Sequence, residues 1–202
     1  MRPAAEPEPG AGARRRSRRP ACGTRARRVR IAYQGAPGAF GHEAAWRFAP
    51  SPEPVACPTF AAALDMVSSR TADAAILPVE NSIAGPVEEA MAALAASGLR
   101  VAEEHSLPIR LHLLALPGSS LEDLTIAVSH IMALKQCAWS LSRLGLDTEE
   151  APNTAIAARD LIASHKAALA SEAAAKIYGL NILQEDLQDE PGNATRFALV
   201  TR

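Results

Sequence analysis

Apolar and polar positions alternate so that the chain divides, from residue 29 onward, into short strands and amphipathic helices. Residues 29–33 read as a strand, and Gly35-Ala36-Pro37-Gly38 follows as a turn. Helical periodicity covers 43–48, and a second amphipathic run over 60–67 starts after Thr59. The apolar stretch 74–79 is short enough for a buried strand. Gly85-Pro86 punctuates the pattern, and Pro86 suits the first turn of a helix over 87–95. Strands are expected at 99–102, 109–116 and 126–129, and Ser119-x-x-Glu122 has the spacing of a capping box. Helices are expected over 133–144 and 154–164. A strand at 167–170 precedes a helix over 171–178, which Gly179 stops. Residues 197–200 close the pattern as a strand. This alternation predicts an α/β fold with largely parallel sheets.

Composition narrows the picture. The chain of 202 residues allows one large domain or two small lobes. Aromatics are only 4%, so Ala, Leu, Val and Ile have to fill the core. No run of 18 or more apolar residues occurs, so no membrane-spanning helix is expected. Charge is uneven: residues 1–30 hold ten Arg against Glu6 and Glu8, a net of +8, while 31–202 hold 11 basic and 20 acidic residues, a net of −9. The overall charge of −1 therefore describes neither part.

Residues 1–28 are mostly Ala, Pro, Gly and Arg, with little to bury, and are expected to be disordered. They contain no apolar stretch of the secretory-signal kind. Arg14-Arg15-Arg16-Ser17-Arg18-Arg19 has the composition of a nucleic-acid or localisation patch. The acidic body repels phosphate, so no nucleic-acid partner is expected. Cys22, Cys57 and Cys137 are widely spaced and form no CxxC or ligand pattern. Neither a metal site nor a disulfide framework is expected, and reduced thiols fit a cytoplasmic protein.

Four segments place polar residues at predicted strand ends, where open α/β sheets bind ligands. Gly35 and Gly38 stand in the first, where backbone N–H groups have room to approach an anion; an ordinary strand-to-helix turn fits equally. The second, Pro78-Val79-Glu80-Asn81-Ser82-Ile83-Ala84-Gly85, sets three polar residues directly after a buried strand; Asn81 and Ser82 also suit a turn or helix cap. The third carries Ser129, positioned to cap the next helix, then His130, Gln136 and Cys137. Gln136 faces a cleft or solvent, and His130 and Cys137 also suit structural places. In the fourth, Asn193-Ala194-Thr195-Arg196-Phe197, Arg196 suits either bidentate carboxylate binding or an ion pair holding the strand.

Together and in this order, "RIAYQGAPGAF", "LPVENSIAG", "LPIRLHLLALPG", "SHIMALKQC", "SEAAAKIYGL" and "NATRF" resemble the catalytic domain of the prephenate dehydratase family, which includes the arogenate dehydratases. The resemblance covers about residues 29–202. It implies an α/β fold of two lobes like type 2 periplasmic binding proteins, with the ligand between them. Lobe one is expected to hold 29–107 plus 188–202, and lobe two 108–187. The implied reaction expels a ring hydroxyl and one carboxylate from prephenate, giving phenylpyruvate for phenylalanine synthesis, without a cofactor. Thr195 is implied to hydrogen-bond or protonate the leaving hydroxyl. Glu80, Asn81 and Gln136 are implied to position the ring and side chain, with Ser82, Gly85, Ser129, Arg196, Gly35 and Gly38 around the substrate. Arogenate, with an amine in place of the keto group, is the alternative substrate. A non-catalytic binding module of the same fold is the alternative from another class. A homodimer is also compatible with the resemblance.

Some positions depart from the family pattern. Gly41 stands where a Ser is common, Ile131-Met132 where Pro-Gln is frequent, and Asn153-Thr154-Ala155-Ile156 where Asp-Thr-Ala-Gly is usual. The family usually continues into a phenylalanine-binding ACT domain, whereas this sequence ends at Arg202. The expectation is a chain without that domain, by nature or by truncation, and without that feedback.

Overall fold

The computed structural model describes residues 27–202. The expectations for the Arg-rich tail and Cys22 lie outside the described residues. The remaining chain builds two mixed sheets with helices packed on them.

The first sheet runs in the order β2-β1-β3-β11-β5. Its strands are β1 (Arg30–Gln34), β2 (Glu53–Cys57), β3 (Ala74–Asn81), β5 (Arg100–Pro108) and β11 (Ala194–Thr201). The two-residue β4 (Gly85–Pro86) pairs back onto β3. Successive side chains leave a strand on opposite faces. Ile31 and Tyr33 therefore enter one core cluster and Ala32 another. Helices α2 (Phe60–Ser68) and α3 (Glu88–Ser97) carry residues that pack in the second cluster. Thr59 starts α2 as its cap, with its hydroxyl accepting from the Ala62 N–H at 3.1 Å. The first cluster contains residues of α1 (Phe40–Phe48) and continues into the second sheet.

The second sheet has the order β10-β6-β9-β7-β8. Its strands are β6 (His112–Ala115), β7 (Ile126–Ser129), β8 (Asp147–Glu150), β9 (Lys166–Ala170) and β10 (Asn181–Gln184). Four helices belong to this lobe: α4 (Ile131–Gln136), α5 (Ala138–Arg143), α6 (Thr154–Arg159) and α7 (Glu172–Tyr178). Two crossings join the lobes side by side. Ile109 N–H donates to the Asn193 carbonyl at 2.8 Å, and Leu187 N–H to the Leu111 carbonyl at 2.7 Å. A further contact ties the β1–α1 turn to α7. Ser171 Oγ donates to the Gly38 carbonyl at 2.7 Å, and the Tyr178 hydroxyl to the Pro37 carbonyl at 2.8 Å.

The two-lobed α/β architecture is as expected, but several details differ. The sheets are mixed: β11 runs antiparallel to both β3 and β5, and β6 antiparallel to β9 and β10. The expected helix over 133–144 is two helices broken at Cys137 (φ −122, ψ 15). The crossing segment provides the cause. Asp189 accepts from the Trp139 and Ser140 N–H groups at 2.9 Å each and so starts α5 afresh. Its own N–H donates to the Gln136 carbonyl. The capping box sits one residue later than expected, on Ser120 and Asp123, around a single 3-10 turn. Gly85-Pro86 forms β4 rather than opening α3. Strands β2, β8 and β10 had no counterpart in the sequence reading.

Candidate active site

The carboxyl ends of the parallel strands β1, β3, β7 and β8 converge between the lobes, around a cleft of about 330 Å³. This is the small end of the range for ligand pockets. Gln34 lines it from the end of β1, Asn81 from β3, His130 just after β7, and Asn153 just beyond β8. Thr195 and Phe197 come from β11, and Gln136 from the last turn of α4.

A β-bulge decides what β3 shows to the cleft. Thr195 pairs with Asn81 and Arg196 with Glu80, but Phe197 pairs with Pro78, leaving Val79 as the extra residue. One extra residue reverses the facing of everything beyond it. Ile76, Pro78 and Asn81 consequently line the cleft, and Glu80 does not. Glu80 is exposed on the opposite face, bound to Arg196 at 2.7 Å, and Arg196 reaches Glu104 at 2.6 Å. These hydrogen bonds hold the guanidinium above its already high ordinary pKa, the Glu80 bond first. Of the two roles open to Arg196, the structure shows the ion pair that ties β3, β11 and β5. Glu80, expected to position the substrate, does not face the cleft, because its carboxylate is paired with Arg196 on the other face.

Three side-chain amides form a closed ring under the cleft. Asn81 Nδ2 donates to Asn193 Oδ1 at 2.8 Å, Asn193 Nδ2 donates to Gln136 Oε1 at 3.0 Å, and Gln136 Nε2 donates to Asn81 Oδ1 at 3.1 Å. Asn81 Oδ1 also accepts from the N–H groups of Ile83 and Ala84. Those backbone donors fix which end of the Asn81 amide is oxygen. Asn81 Nδ2 must then point at Thr195, and it donates to Thr195 Oγ1 at 3.0 Å. Thr195 is 8% exposed and donates to no protein acceptor among the described residues. Its hydroxyl proton is uncommitted on the floor of the cleft.

The remaining candidates hold the walls. Ser129 is fully buried and donates to the Leu169 carbonyl at 2.6 Å, joining β7 to β9; it is outside the cleft, and His130 caps α4 instead. Ser82 bridges strand ends, donating to the Gly192 carbonyl and accepting from the Ala194 N–H. Gly85 takes φ +80 in the turn back to β4 and does not line the cleft. Gly38, at φ +88, lies so close to α7 that an added Cβ would stand 2.6 Å from the Ala174 Cα. Gly35, at φ +115, makes room for Asn153, whose Oδ1 accepts from the Ala155 N–H at the start of α6. The anion-binding reading of both glycines gives way to close approach of the lobes. Burial pushes the Cys137 thiol up to about 12, so it is a core thiol rather than a nucleophile.

Sequence reasoning missed Asn193 as a site residue, together with the cleft positions of Asn153 and Glu89; His130, which also suited a structural place, lines the cleft. Asn193 had a usable signal: it stands two residues before Thr195, the spacing of one strand face. Gly41 lines the cleft with an open position, since an added Cβ would come no nearer than 3.4 Å to Tyr33. Ile156 packs at the edge of the first core cluster.

The fold is thus one of two α/β lobes around a cleft whose floor carries an amide-held hydroxyl. A model of the family described as prephenate dehydratase matches residues 31–202, and the chain belongs to that family. It is 41% identical over 178 residues to arogenate dehydratase/prephenate dehydratase 1, chloroplastic, of Arabidopsis thaliana, covering 87% of this chain and 45% of that protein. It is also 41% identical over 179 residues to arogenate dehydratase 1 of Petunia hybrida, covering 86% and 42%. Among solved structures, prephenate dehydratase from Arthrobacter aurescens in complex with L-Phe matches at a TM-score of 0.80 and 32% identity, over 86% of this chain and 60% of that one. GqqA, described as a novel type of quorum quenching acylase, matches at a TM-score of 0.78 and 35% identity, over 86% and 64%. The chain spans about half the length of the curated relatives it matches.

Proposed function

We propose that this chain catalyses the decarboxylating dehydration of prephenate or of its amino counterpart, arogenate. The two share a ring carboxylate, a ring hydroxyl and the cyclohexadiene between them. The electron pair of the ring-carboxylate bond moves into the ring as carbon dioxide departs. The ring then releases its hydroxyl oxygen, which leaves as water on taking one proton that comes ultimately from solvent. Aromatisation drives the reaction, and no cofactor is called upon.

The observation that supports this reading is the uncommitted Thr195 hydroxyl on the cleft floor, with its oxygen fixed by Asn81. Negative charge grows on the departing oxygen, and a pre-aligned donor there stabilises the transition state more than the ground state. Thr is a poor acid, so its contribution is geometric: the amide ring of Asn81, Gln136 and Asn193 holds it in one orientation. Phe197 and Ile76 offer apolar surface to the ring. Cys57 and Cys137 are free and buried, which suits the cytoplasm. The test is turnover by the purified chain, reading phenylpyruvate from prephenate by absorbance and phenylalanine from arogenate by chromatography. Tight binding of both compounds without turnover marks a binding module instead.

A further inference from the structure

We propose that Glu89 selects the substrate's side chain, favouring an ammonium group over a keto group at the same carbon. The proposal rests on the dehydratase reading above and extends it to the substrate class. Glu89 lies in the first turn of α3 and lines the mouth of the cleft. It is the only lining side chain, among the described residues, that carries a formal charge at neutral pH with His neutral. No Lys or Arg lines the cleft among the described residues. Arg196 is committed to Glu80 and Glu104 on the other face. Glu89 makes no side-chain hydrogen bond or ion pair among the described residues, so its charge is available to a ligand.

The chemistry of the two substrates differs at one place. Prephenate brings two carboxylates and a keto group, a charge of −2. Arogenate replaces the keto oxygen with an ammonium, giving −1. The side chain and the hydroxyl stand at opposite ends of the ring. With the hydroxyl at Thr195 on the buried floor, the side chain extends toward the mouth, where Glu89 stands exposed. A carboxylate there repels the keto acid and pairs with the ammonium. Selection thus comes as much from repelling one substrate as from attracting the other.

The test uses the purified full chain and measures kcat/KM for both compounds in the wild type, Glu89→Gln and Glu89→Lys. The wild type is expected to prefer arogenate. Glu89→Gln is expected to move the ratio toward prephenate by about tenfold, mainly through KM, and Glu89→Lys further. Added salt should shrink the wild-type preference and leave that of Glu89→Gln little changed. An exposed position predicts unchanged melting for both variants. A ratio that neither variant alters overturns the proposal, as does a wild-type preference for prephenate. If neither compound is turned over, the dehydratase reading fails separately. Calorimetric binding of L-phenylalanine against phenylpyruvate, the amine and keto products, then decides the selection, and a ratio unmoved by Glu89→Gln overturns it.

Discussion

The two faces of the β3–β11 ladder hold neighbouring residues with opposite fates. On the cleft face, Asn81 and Thr195 are buried, and Asn81 binds Thr195, Asn193 and Gln136. On the other face, Glu80 and Arg196, each one residue away, are exposed and paired with one another. Both pairs look equally chemical in sequence. Exposure separates them: water competes for the ion pair, whereas buried Asn81 and Asn193 are held by fixed protein partners. Nearness along the chain therefore does not give two polar residues the same surroundings; the face decides.

The strongest challenge to this contrast is Thr195→Ala. Turnover is expected to fall by about 10²- to 10³-fold, in the range for losing one pre-aligned hydrogen-bond donor, with melting little changed. Thr195→Ser, which keeps the hydroxyl, should retain much of the activity. Steady-state kinetics with a thermal melt checks both, and wild-type turnover in the Ala variant would remove Thr195 from the reaction.

Next comes Gly38→Ala, which acts where the two lobes touch. A side chain at φ +88 with backbone 2.6 Å away should cost about 2–3 kcal/mol, read as a lower denaturation midpoint at unchanged slope. Asn193→Ala follows. It strips partners from Gln136 and Asn81, so a loss of about 1–3 kcal/mol is expected. A double-mutant cycle with Gln136→Ala should be non-additive, and simple additivity would show that the ring is not one unit.

The smallest effect belongs to the outer face. Arg196→Ala should leave kcat within about twofold of the wild type, as for other exposed ion pairs. A collapse of turnover in that variant would break the two-face distinction.

Much of the fold was legible where one segment contained its own explanation. Strand β7 was bounded correctly at 126–129, because it is a short apolar run between polar ends. Helix α7 was legible because Ser171 caps it, accepting from Ala174, and Gly179 at φ +67 ends it. Strand β8, Asp147-Thr148-Glu149-Glu150, was not legible: it is an exposed edge, held by its backbone pairing to β7 and by the Lys166–Glu149 ion pair. The break at Cys137 was hidden for a related reason, since the Asp189 that causes it lies some 50 residues further along.

In the site, the motif order pointed to Asn81, Gln136 and Thr195, and the structure places all three on one cleft. The resemblance set Glu80 beside them, and simple period-two facing would also align residue 80 with Ile76 and Pro78. The bulge at Val79 reverses that facing. Ser129, Gly35 and Gly38 stood at strand ends as a binding residue does, yet their neighbours across the fold turn them to packing.

By itself, then, the sequence determined the α/β character, the main elements, and the family through the order of its motifs, because these follow from local periodicity, capping and residue identity. Only the tertiary structure decided which polar residues share the cleft. That choice depends on strand register, one bulge and contacts between segments more than 100 residues apart, and no local pattern encodes those.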